Sequence, residues 1–143
     1  METLKNKEDV VSNEVALKEV GKFVETFTFE SIEDWKLEDS YPQLLKAVKK
    51  GLVVFDEKGN PVVELLQPIN DTDGEHVVSS VTFRTRIKPT DLSNITKGLD
   101  VTKQQVEYTL RCLSYITKLN KSYLDKLCKF DYKVIEQTST VFF

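Results

Sequence analysis

The stretch Val81-Thr82-Phe83-Arg84-Thr85-Arg86-Ile87-Lys88-Pro89-Thr90-Asp91-Leu92 decides the reading of the fold. Together with Val77, the residues Val81, Phe83 and Ile87 fall on one side of a two-residue period, while Ser80, Thr82, Arg84, Arg86 and Lys88 fall on the other. This is the pattern of a strand with one packed face and one polar, basic face. Pro89 has no amide to give a ladder and steers Lys88 away from helical backbone. Thr90 and Asp91 then bring side-chain oxygens for the free amides of a new helix. A strand ends there and a helical region begins.

Upstream, residues 52–55 and 61–66 flank Asp56-Glu57-Lys58-Gly59-Asn60, a turn-forming connection with glycine where positive φ is needed, which predicts a β-hairpin. Asn70-Asp71-Thr72-Asp73-Gly74 turns the chain again, so three consecutive antiparallel strands are expected. Ahead of the hairpin, Ser40 and Gln43 with Pro42 between them mark a helix start. Leu44, Leu45 and Val48 share one stripe of that helix, Lys46, Lys49 and Lys50 gather at its end, and Gly51 is placed as its left-handed cap. Ser31 and Asp34 give a similar signal for a short turn through Trp35 and Leu37. In residues 23–29, Phe23, Glu25, Phe27 and Phe29 alternate with Val24, Thr26 and Thr28. This β-prone content predicts a strand over the competing helical stripe Ala16, Val20, Phe23, Phe27. Residues 1–19 are polar and weakly patterned, and are expected to form a flexible segment of little weight in the fold.

Beyond Pro89 a helix is expected over residues 91–97, ending at Gly98. Thr102 and Gln105 open the next, with Val106, Leu110, Leu113 and Ile116 on one side. Ser122 and Asp125 open a short one, and Asp131 caps a last helix whose apolar stripe is Val134, Ile135, Thr138, Val141 and Phe142. The fold class predicted is α+β: a small antiparallel sheet, a hairpin plus a third strand, followed by a C-terminal cluster of short helices. Residues 20–143 make one domain in this reading.

A chain of 143 residues can bury about two thirds of its unfolded surface without disulfides or metals. Twenty Lys and Arg stand against 23 Asp and Glu, and the basic residues are interleaved with acidic ones, which argues against nonspecific nucleic-acid binding. No apolar run approaches the ~20 residues a bilayer requires, so no membrane partner is expected. Residues 1–9 are charged and no apolar segment with a small-residue cleavage site follows, so the expectation is a soluble, cytosolic protein without a secretion signal. Cys112 and Cys128 fit no zinc spacing and are expected to be reduced thiols.

Chemistry-bearing patterns are sparse. Asp71, Asp73, Gly74 and Glu75 share the opening of a calcium loop but lack its later ligands, and His76 has no second histidine or cysteine beside it. There is no nucleophile elbow and no glycine-rich phosphate loop, so a non-catalytic protein without cofactor or metal is expected. Arg84 and Arg86, with Lys88 beyond, form either an ordinary solvated face or a shallow anion site for an acidic partner helix or a nucleic-acid backbone. Val141, Phe142 and Phe143 must either fold back on the core or be covered by another molecule.

Residues 65–143 resemble the tail assembly chaperone family of long-tailed bacteriophages. The resemblance rests on Leu65-x-x-Pro68-Ile69, a turn with Gly74, Val81-Thr82-Phe83-Arg84 running to Asp91-Leu92, a middle helix, and Leu124-Asp125-x-Leu127-x-x-x-Asp131 leading to a helix ending in Phe142. The hairpin around Lys49-Lys50-Gly51-Leu52-Val53-Val54-Phe55-Asp56 and everything before it depart from the family's compact form. The resemblance implies a protein of the bacterial host cytoplasm, absent from the mature virion. It would bind the tape measure protein and keep it soluble while tail tube protein polymerises around it. Partner contacts are then expected at Arg84, Arg86, Leu124, Leu127, Val134, Val141, Phe142 and Phe143, with self-association a further possibility. Two other classes fit the same residues: a structural tail-completion or tube-associated virion protein, and a small regulatory protein-binding module.

Overall fold

In the computed structural model, which describes residues 8–70 and 77–143, helix comes first. Helix α1 (Asn13–Thr28) is opened by Ser12, whose Oγ accepts the Val15 amide at 3.2 Å. Its buried residues Ala16, Leu17, Val20, Phe23 and Val24 recur at helical spacing. The strand expected over residues 23–29 is therefore corrected: Phe23, Val24 and Phe27 continue the stripe begun at Ala16, and burial of that stripe outweighs the strand preference of the aromatic and β-branched side chains. The expectation that residues 1–19 weigh little in the fold is corrected for the described residues 8–19. Ala16 and Leu17 are core residues, the Val10 amide donates to the Lys49 carbonyl at 2.7 Å, and Asp9 pairs with Lys50 at 2.8 Å.

Helices α2 (Asp34–Ser40) and α3 (Pro42–Lys49) follow, with Leu37, Leu44, Leu45 and Val48 buried. The end of α3 closes as a Schellman cap: Leu52 donates to the Ala47 carbonyl, Gly51 to that of Val48, and Gly51 takes φ of +75°. A Cβ at Gly51 would also lie 2.9 Å from Val10, so both backbone and space require glycine.

The predicted three-stranded antiparallel sheet is present in the order β1-β2-β3: β1 (Val53–Phe55), β2 (Pro61–Asn70) and β3 (Val77–Thr82). Asp56 fixes the hairpin turn by accepting the amides of Lys58 and Asn60, and Gly59 supplies φ of +82°. The turn and metal-loop readings at Asp71, Asp73, Gly74 and Glu75, and His76, lie outside the described residues.

The β2–β3 pairing runs in register from Val62↔Thr82 to Glu64↔Ser80, and resumes at Ile69↔Val78. Leu65, Leu66, Gln67 and Pro68 thus face Ser79 alone. An odd number of extra residues reverses which side of β3 faces the core, so Val78 is half-buried and Val77 exposed, contrary to the single period drawn from Val77 through Val81. The alternation does hold from Val81 to Lys88. The ladder nonetheless stops at Thr82, after which Arg84 donates its amide to the Ile116 carbonyl at 2.7 Å.

Helices α4 (Pro89–Thr96), α5 (Gln105–Thr117), α6 (Lys121–Leu124) and α7 (Lys129–Thr140) complete the chain. The sheet thus has helices before it as well as after it. In α5 the buried residues are Cys112, Leu113, Ile116 and Thr117, Leu110 is half-buried, and Val106, expected on the packed side, is exposed. Asn120 rather than Ser122 caps α6. α7 is the central helix, lying against α3, α5 and β2, with Val134, Ile135, Thr138 and Ser139 buried.

Candidate functional site

Two side chains of α7 anchor the rest of the fold. Asp131, expected to cap α7, is instead 1% exposed and accepts the amides of Leu66 at 2.9 Å and Gln67 at 3.0 Å. These are the donors that the irregular β2–β3 pairing leaves without strand partners. The cap itself is Cys128, whose Sγ accepts the Asp131 amide at 3.5 Å. One turn from the other end, Gln137 Oε1 accepts the amides of Gln43 and Leu44, both at 3.0 Å, and so caps α3 from a distance. The Ser40–Gln43 start signal operates through α7 and not through Ser40, which is the last residue of α2.

This anchoring sets the fate of the expected partner residues. Leu124, Val134 and Val141 are core side chains, so they offer no surface in this conformation. Leu127 is half-buried against the core. Phe142 folds back: its ring centroid lies 4.9 Å from that of Phe27, 5.7 Å from Phe23 and 6.3 Å from Phe83, closing an aromatic cluster between α1 and the sheet. Of the C-terminal residues, Phe143 remains outside, 45% exposed.

Phe143 lines a groove of about 170 Å³ between α5 and α7, together with Tyr108, Cys112 and Leu113 of α5 and Ser139 and Thr140 of α7. Burial pushes the Cys112 thiol above its usual value, against a hydrogen bond with Tyr108, and that same bond raises Tyr108. The thiol therefore stays protonated at neutral pH and behaves as apolar lining. Sequence reading placed Cys112 as an inert thiol but did not place it beside Phe143.

The two arginines part company. Arg84 donates Nε–H to the Tyr115 carbonyl at 2.9 Å, and its guanidinium lies 4.8 Å from the Tyr115 ring centroid. The Tyr115 hydroxyl hydrogen-bonds Asp91, whose carboxyl is held below the usual range first by the Lys88 amide and then by that hydroxyl. Arg84 thus ties the extended segment to α5 and α4. Arg86 is exposed. Beside this network, Arg111 donates to the carbonyls of Ile95 and Lys97 at the end of α4, and Glu107 bridges Arg111 and Lys121.

Among the described residues no group of three or more His, Cys, Asp or Glu side chains is placed to hold a metal, and no helix is long and apolar enough to cross a membrane. No protein-family model, curated protein or solved structure matches this chain.

Proposed function

We propose that the protein is a non-catalytic binding module that acts as a tail assembly chaperone, holding the tape measure protein of a long-tailed phage in solution until tail tube protein surrounds it. The reading is supported by the order and spacing of residues from Leu65 to Phe143. The observation that carries it is the opening between α5 and α7, where half-buried Tyr108 and exposed Thr140 and Phe143 offer surface above the buried Cys112 and Leu113. A client made of long apolar helices requires exposed apolar surface, and an opening of about 170 Å³ admits a side chain of such a helix while being shallow enough to release it. Its place of action would be the host cytoplasm.

The test is expression of a long-tailed phage's tape measure protein with and without this chain. A client that appears in the soluble fraction when the chain is present, and co-purifies with it, is the expected result. A client equally insoluble in both cases overturns the proposal. Recovery of the chain in purified particles would replace it with a structural virion role.

A further inference from the structure

Phe29 ends α1 in the left-handed region, with φ of 60° and ψ of 22°, and its side chain is 91% exposed. The turn needs a residue with positive φ, which glycine or asparagine supplies with less strain than a phenylalanine. The ring makes no compensating burial. Trp35, at the start of α2, is 64% exposed and donates its indole N–H to Glu33. Trp35 lines a groove of roughly 450 Å³ together with Val24, Thr28, Ile32 and Tyr41. Phe29 itself falls between Thr28 and Glu30, both of which line it.

The surrounding charge is one-sided. From residue 25 to residue 39 the exposed carboxylates are Glu25, Glu30, Glu33, Asp34, Glu38 and Asp39, against Lys36 alone, so the segment is more negative than the whole chain at −3. The ion pairs among the described residues lie elsewhere, at Asp9, Glu107 and Glu136. Glu30 and Glu33 line the groove itself, with Lys36 beside them, and a net acidic segment that carries exposed aromatic rings repels nucleic-acid phosphates and anionic headgroups and attracts ammonium and guanidinium groups, which the rings also bind.

We infer that the α1–α2 corner, built on Phe29 and Trp35, is a docking surface for a Lys/Arg-rich amphipathic protein segment. The apolar residues of that segment enter the groove and its cations meet the carboxylates of this corner. The inference is independent of the α5–α7 groove.

Trp35 is the sole tryptophan, so its emission reports on this corner. The probe is a synthetic leucine–lysine peptide patterned as an amphipathic helix, with a leucine–glutamate peptide of the same pattern as control. The expected result is a saturable shift of Trp35 emission with the lysine peptide alone, weakened by salt. Phe29→Gly should weaken that binding by about tenfold or more while keeping every carboxylate and a melting temperature no lower than the parent's. The inference fails if the lysine peptide gives no saturable shift, if the glutamate peptide binds as well, or if Phe29→Gly binds like the parent. It also fails if emission shifts with protein concentration alone, which would make a second copy of the chain the occupant.

Discussion

Asp131 shows how much a single side chain does here. Its carboxylate takes two backbone amides of β2 at a place where β3 cannot, and it does so from the first turn of α7, where the helix dipole favours negative charge. Asp131→Ala removes both acceptors and leaves donors facing a covered site, so we expect a loss of about 3 kcal/mol in urea unfolding. A loss below about 0.5 kcal/mol, the scale of an ordinary surface change, would mean that water replaces the carboxylate. Phe29 points the other way. Glycine at this left-handed position relieves the backbone and gives up no burial, so Phe29→Gly should raise stability by about 1 kcal/mol in the same experiment. A destabilised variant would show that the ring packs on something.

At the scale of elements, α5 separates a packed face from a free one. Leu113→Ala should cost about 2 to 5 kcal/mol because Leu113 is enclosed by the core, whereas Val106→Ala should change stability by under about 0.5 kcal/mol. Equal effects would reverse the assigned face. The α4–α5–α6 unit carries a pH signature. Glu107 is held below its usual value first by Lys121 and then by Arg111, and Asp91 by the Lys88 amide. Both carboxyls titrate lower in the folded state than in the unfolded one. Their contribution is therefore complete above the ordinary carboxylate range and is lost as pH falls through the folded values. The protection of α4 amides, taken relative to their intrinsic exchange rate at each pH, should fall on acidification before that of α7, and the effect should shrink with salt because these groups are exposed. Local signals made some elements legible in sequence. Asp56 and Gly59 fix the hairpin turn, and Gly51 fixes the end of α3, each through contacts within a few residues. The α1 segment misled because Phe23 and Phe27 satisfy a two-residue period as well as a helical one, and the deciding fact is the burial of Ala16 and Leu17 upstream. Asp131 and Gln137 were illegible as anchors, since their partner amides lie 64 to 94 positions away in the chain. Phe143 was legible as an apolar terminus, but its groove arises only when α5 meets α7.

For the whole molecule, α7 organises the core by packing on α3, α5 and β2, leaving one side of its contact with α5 open. Two surfaces then stand apart: the groove lined by Phe143, and the acidic aromatic corner between α1 and α2. If the proposed chaperone role holds, the client is covered at the first surface without unfolding, because Leu124, Val134 and Val141 stay buried in the core. The most direct test is amide hydrogen exchange on the chain, free and in complex with the co-expressed tape measure protein. New protection confined to α5 and α7, centred on Tyr108, Cys112 and Thr140, is the result predicted. Failure to form a complex, or protection elsewhere with α5 and α7 unchanged, would contradict the account.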